Sequence, residues 1–130
     1  MAAQQGDTCP CRAAKDARPY AECCEPYHAG RAVPPTAEAL MRSRYSAYAR
    51  GDARYLQATW HHSKRPASVS LVMGQVWTGL KIVAAHEAGD EATVEFVARS
   101  TVGGRPQKLH EVSRFKRELG RWLYVEGLIL

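Results

Sequence analysis

Apolar and polar positions change their period once along this 130-residue chain, near residue 77, and the change separates a helical first part from a β-rich second part. Pro34-Pro35 is followed by Thr36, a good N-cap, and then by Ala37 to Arg50 with no Gly or Pro, so the pattern predicts a helix there. Met41, Tyr45, Tyr48 and Ala49 share one face at helical spacing, Leu40, Arg44 and Tyr48 form an adjoining row, and Arg42, Ser43, Ser46 and Arg50 lie away from both. Gly51 ends this helix. Asp52 caps a shorter one through residues 53–59 that reaches Trp60, after which His61 to Pro66 reads as a loop.

Beyond residue 77 the alternation becomes that of strands. Leu80–Ala84, Thr93–Arg99, Lys108–Lys116 and Trp122–Ile129 are separated by turns at Ala88-Gly89-Asp90, Gly103-Gly104 and Leu119-Gly120, which predicts an antiparallel meander. Period 2 places Glu111, Ser113 and Phe115 on one face and His110, Val112, Arg114 and Lys116 on the other. By the same rule Tyr124 and Glu126 share a face with Trp122. Ser68–Met73 suits either a short helix or a strand. Helices followed by a sheet that must cover their apolar stripe give an α+β architecture.

Composition adds a second unit to this picture. Four cysteines fall within the first 24 residues, as Cys9-Pro10-Cys11 and Cys23-Cys24, and none follows. A tetrahedral metal site needs four soft ligands delivered by short turns, so Cys9, Cys11, Cys23 and Cys24 form a candidate ligand set, with His28 as a substitute ligand should Cys24 point away. Zinc is the expected ion, iron is the alternative, and a vicinal disulfide or redox thiols are the competing readings. A closed shell of four thiolates leaves no position for water, so such a site is structural. The expected division is a knuckle over residues 1–33 and a main domain over residues 34–130.

Hydrophobic residues make up 45% and charged residues 24%, the balance of a globular protein. No apolar run is long enough for a bilayer and the start has no leader-like pattern, so a cytoplasmic location without membrane contact is expected, where thiolates stay reduced. The net charge of +5 arises after residue 33. Arg42, Arg44, Arg50, Arg54, Lys64-Arg65 and the basic residues between Arg105 and Arg121 are a solvated surface or a field for phosphates and acidic partners. No stacking module accompanies them, which makes nucleic acid or the ribosome a weak candidate partner.

Cys9-Pro10-Cys11, Tyr20-Ala21-Glu22-Cys23-Cys24 and Pro26-Tyr27-His28-Ala29-Gly30 resemble the SEC-C metal-binding motif at the head of the bacterial YchJ family. Leu40 to Tyr48, Tyr55-Leu56, Thr59-Trp60-His61, Val94–Arg99, Ser113-Arg114-Phe115 and Trp122–Val125 with Gly127 extend the resemblance over nearly the whole chain. It implies an NTF2-like (cystatin-like) cone, a curved sheet wrapped on a long helix with a pocket at one end. The chain departs from the motif by having Arg12-Ala13-Ala14 where a Gly-Ser-Gly-like segment is usual, which takes away the glycines that let backbone N–H groups turn toward the sulfurs, and by a longer spacing to Cys23 that still closes at little entropic cost. Many YchJ-like chains carry a second copy of the motif near the C-terminus; no cysteine stands near Ile129-Leu130 here, so one site is expected.

Two functions follow from different classes. SEC-C motifs resemble the metal knob through which the preprotein translocase motor contacts an export chaperone and ribosomes, which implies a non-enzymatic adaptor with a protein partner. The cone implies a small-molecule binder or enzyme, with Arg44, Tyr48, Glu111, Ser113, Trp122 and Tyr124 as pocket residues, Trp60 and His61 closing the mouth, and Glu111 as the candidate base. His61-His62 otherwise read as an exposed loop pair pointing in opposite directions with no carboxylate nearby, and His86 and His110 have no recognisable partner.

Overall fold

The computed structural model describes residues 7–130. Two 3₁₀ turns, Ala14–Asp16 and Tyr20–Glu22, precede a one-turn helix α1 (Glu25–His28), then α2 (Ala37–Arg50) and α3 (Ala53–Ala58). The strands β1 (Gln75–Ala88), β2 (Glu91–Val102), β3 (Arg105–Glu118) and β4 (Arg121–Ile129) form one antiparallel sheet in chain order. The helix starts and stops follow the sequence signals. Thr36 Oγ1 accepts from the Ala39 N–H at 3.0 Å, Asp52 Oδ1 from the Tyr55 N–H at 3.1 Å, and Gly51 closes α2 at φ +76°, a conformation open to glycine.

The sheet departs from the sequence reading in three places. Strand β1 begins at Gln75 rather than near Leu80, because a register shift between Trp77 and Gly79 hides the alternation. Ser68–Met73 forms neither helix nor strand, and Met73 is almost fully exposed. The third departure concerns Glu126. In β4 the pairing passes from Arg114↔Glu126 to Phe115↔Tyr124, which leaves Val125 as an extra residue. A single extra residue reverses the phase of a strand. Trp122 and Tyr124 therefore share the inner face, whereas Glu126 points outward and accepts from Arg114 Nη2 at 2.8 Å.

The inner face packs on α2. Leu40, Met41 and Tyr45 join Val94, Phe96, Ala98, Phe115 and Trp122 in one core cluster. Each large side chain buried there contributes about 1.5–3 kcal/mol relative to exposure. The other side of α2 is also covered: Ser43 and Ser46, expected to lie away from the core, are fully buried beneath the cysteine-bearing segment. The helix is thus a central layer between sheet and knuckle. After α3 the chain returns to β4, with the His61 N–H donating to Tyr124 O at 2.7 Å and the Tyr124 N–H to Thr59 O at 2.9 Å. Among the described residues no helix is long and apolar enough to cross a membrane.

Candidate metal centre

The cysteine segment is closed by local backbone bonds. The Cys9 N–H donates to Arg18 O at 2.7 Å and the Tyr20 N–H to Asp7 O at 2.9 Å, so the long loop after Cys11 returns beside its own start. The Cys23 N–H donates to Tyr20 O at 3.0 Å, and Cys24 then leads into α1. These turns bring four buried sulfurs together. Sγ separations are 3.6 Å for Cys9–Cys11, 3.6 Å for Cys11–Cys23, 3.7 Å for Cys11–Cys24 and 4.0 Å for Cys23–Cys24. A tetrahedron with metal–sulfur bonds of about 2.3 Å has edges of about 3.8 Å. The donor set therefore fits a tetrahedral metal, and the 4.0 Å between Cys23 and Cys24 is far beyond a bonded pair.

Thiols this close cannot ionise independently. Hydrogen bonds from Cys11 and Cys24 hold Cys9 far below the ordinary thiol range despite its burial. Cys24 is pushed far above that range, first by its hydrogen bonds with Cys11 and Cys9 and then by burial. A divalent cation offsets the accumulated negative charge and allows all four groups to bind as thiolates.

Outer partners come from side chains. Ser46 Oγ on α2 lies 3.3 Å from both Cys9 Sγ and Cys24 Sγ, and Arg12 Nε donates to Cys23 Sγ at 3.5 Å. Arg42 Nη1 donates to Cys11 O at 2.7 Å, and the Arg50 guanidinium lies 3.9 Å over the Tyr20 ring. His28 stands outside the sulfur cluster, and both of its ring nitrogens have other partners. Its Nε2 lies 2.8 Å from Ser43 O, which can only accept, so Nε2 donates and Nδ1 receives the Tyr20 hydroxyl at 2.6 Å. Sequence reasoning missed Ser43 and Ser46; the signal was two small polar residues at i, i+3 inside a helix on the row of Arg42 and Arg50.

A cavity of about 230 Å³ opens between α2 and the inner face of the sheet. Arg44, Tyr48, Glu111, Ser113 and Tyr124 line it as expected, joined by Gln75 and Trp77. Trp60, His61 and Trp122 do not. Trp60 packs edge-on against Tyr124 at 5.0 Å and supports Arg44, while Trp122 pairs with Arg117 near the β3–β4 turn. The Ser113 hydroxyl donates to Glu111 Oε2 at 2.6 Å. Gly127 provides the space: a Cβ there would fall 1.9 Å from that oxygen. Burial, reinforced by the charge of Glu111, pushes the Tyr124 hydroxyl well above the ordinary phenol range.

His61 is buried rather than exposed, and its ring stacks on His62 at 4.2 Å instead of pointing away. The carboxylate missing from the sequence neighbourhood is Glu118, whose Oε2 lies 2.6 Å from His61 Nε2 because the β3–β4 hairpin folds back onto the loop. The backbone N–H of Ser63 donates to His61 Nδ1 at 3.1 Å, so Nε2 carries the proton and donates to Glu118. That tautomer makes the trio a loop clamp. His110 also has a partner, Glu95 Oε2 at 2.7 Å across the β2–β3 pair.

Residues 36–127 match the family described as "YchJ, middle NTF2-like domain". The chain belongs to the YchJ family. It is 54% identical over 115 residues to a UPF0225 protein of Cupriavidus metallidurans, covering 83% of this chain and 82% of that one. A UPF0225 protein of Ralstonia nicotianae is 50% identical over 133 residues, covering 92% and 89%. Among solved structures, a SEC-C motif containing protein from Rhodopseudomonas palustris superposes with a TM-score of 0.83 at 32% identity, covering 95% of this chain and 99% of that chain. A SEC-C motif containing protein from Psychrobacter arcticus gives 0.79 at 27% identity, covering 98% and 85%.

The YchJ match begins at Thr36 and leaves the cysteine segment outside it, while the similarity to the two SEC-C motif structures spans both parts. Arg12, which stands where the motif usually turns on glycines, supplies its own N–H to Cys23. In this YchJ chain, side-chain donors from the loop and from α2 surround the sulfurs.

Proposed function

We propose that the chain is a cytoplasmic adaptor in which a structural zinc ion holds the cysteine knuckle as a rigid protein-binding surface. The closed, buried sulfur shell carries this reading, because four thiolates saturate a tetrahedral ion and leave no position for substrate or activated water. An all-thiolate tetrahedron suits zinc, whose lone oxidation state fits a role in shape rather than electron transfer. Arg12, Arg18 and Arg42 line a groove beside Cys23 and Cys24; Glu38 lines it as well and pairs with Arg42, and Asp16 pairs with Arg12, so the net positive charge that favours an acidic partner rests chiefly on Arg18. Catalysis through Glu111 has weaker support: one carboxylate oxygen is engaged by Ser113, and no histidine or cysteine lines the cavity.

Elemental analysis of protein purified without metal-charged resin is expected to give close to one zinc per chain. Cys23→Ser should lose that zinc and fail to retain the proteins captured by wild type from a bacterial lysate, whereas Glu111→Gln should retain both. Metal-free protein with four titratable thiols would sink the zinc reading, and bound iron would replace zinc with its alternative. Equal capture by wild type and Cys23→Ser would sink the adaptor reading.

A further inference from the structure

The cavity between α2 and the sheet carries an inference independent of the metal centre. It holds one buried cation and one buried carboxylate that do not touch. Arg44 is 3% exposed, and its Nη1 donates to Leu56 O at 2.7 Å and to Thr59 Oγ1 at 2.6 Å. Its Nε and Nη2 have no protein acceptor among the described residues. Neither are they sealed in protein, since the buried side-chain nitrogens without partners are the indole nitrogens of Trp60 and Trp122. These two donors therefore open onto the cavity that Arg44 lines. Tyr124 lies 4.4 Å from the guanidinium carbon and Trp60 lies 5.0 Å from it, which fixes the plane of the fork.

Glu111 lines the same cavity, held by Ser113, accommodated by Gly127 and next to the Tyr124 hydroxyl, and among the described residues it forms no ion pair within 4.0 Å. One side of the polar end thus offers hydrogen-bond donors and the other an acceptor. The remaining walls are mostly apolar, with Tyr45, Tyr48, Trp77 and Phe96 beside Met41 and Leu109, and Gln75 adds one neutral amide. A bound anion would satisfy Arg44 but face Glu111, and a bound cation would do the reverse. A neutral group with adjacent carbonyl and N–H satisfies both. The volume of about 230 Å³ lies below the roughly 300–1,000 Å³ typical of drug-sized sites, so it suits a single ring rather than a nucleotide.

We propose that this cavity binds a small neutral aromatic amide or lactam, its carbonyl accepting from Arg44 and its N–H donating to Glu111 while the ring packs among Tyr48, Trp77 and Phe96. Three probes of matched size test the charge rule: benzamide, benzoate and benzylamine, titrated into the full metal-loaded chain and followed by NMR. Benzamide should bind most tightly and shift the Trp77 indole resonance, with the other two at least about tenfold weaker, the loss expected when a buried charged group goes unpaired. Glu111→Gln leaves the cavity with excess positive charge and should reverse the order in favour of benzoate. Ala98→Leu fills the cavity from the sheet side and should abolish binding while the spectrum remains folded. Absence of benzamide binding to wild type would overturn the proposal, as would benzoate or benzylamine binding equally well, an unchanged order in Glu111→Gln, or undiminished binding to Ala98→Leu.

Discussion

Ser46 is where the metal centre meets the body of the molecule, since one hydroxyl reaches two of the four sulfurs from α2. A hydroxyl aimed at a thiolate lowers its basicity and fixes its direction, and loss of such outer partners typically weakens metal binding about 10–100-fold. Ser46→Ala is expected to lower metal affinity within that range in chelator competition, while circular dichroism shows the helices and sheet intact. An unchanged affinity would mean that the sulfurs are held by their own loops alone. The cysteines were legible in the sequence because four in 24 residues is itself a pattern. Ser43 and Ser46 were not, because a helical repeat marks one apolar face and carries no sign that a second, polar face is covered by another part of the chain.

At the scale of elements, the turns were legible and the bulges were not. Gly103-Gly104 adopts positive φ at both positions, as a two-residue hairpin requires, and the β3–β4 turn does the same with Leu119 at φ +52° and Gly120 at φ +78°. A leucine in the left-handed region costs roughly 1–2 kcal/mol, and Leu119 is fully exposed, so no packing offsets that cost. Leu119→Asn is expected to stabilise the chain by about 1 kcal/mol, read as a higher urea midpoint with an unchanged slope; a lower midpoint would contradict the strain argument. The bulge at Val125 left no such mark. Only pairing with β3 shows that Glu126 faces outward, because period 2 assumes an unbroken ladder.

At the scale of the whole molecule, the sequence reading separated a knuckle from a main domain, and the structure places the four cysteines in contact with the cluster that contains Leu40, Met41 and Tyr45. The large apolar side chains that seal the sheet still lie beyond residue 36. Chelation is therefore expected to release amide protection from residue 7 through α1 while β1 to β4 stay protected, as hydrogen exchange with and without chelator would record. Loss of protection throughout residues 37–130 would show that the main domain depends on the metal for its fold.

The strand order has a kinetic consequence. Each strand pairs with its neighbour in the chain through a turn of only two residues, at Gly89-Asp90, Gly103-Gly104 and Leu119-Gly120. Hairpins of this kind close in about 1–10 μs, and the cysteine loops are comparably local. The contacts that must wait are those distant in sequence: α2 against the sheet, and Thr59 to His61 against Tyr124. Loop-closure entropy falls on that docking step. The expected slow event in folding is thus the docking of the sheet onto the helical segment, rather than assembly of the sheet itself. In stopped-flow refolding, substitutions at the contact between Thr59 and Tyr124 should change the folding rate, and those in the hairpin turns should not.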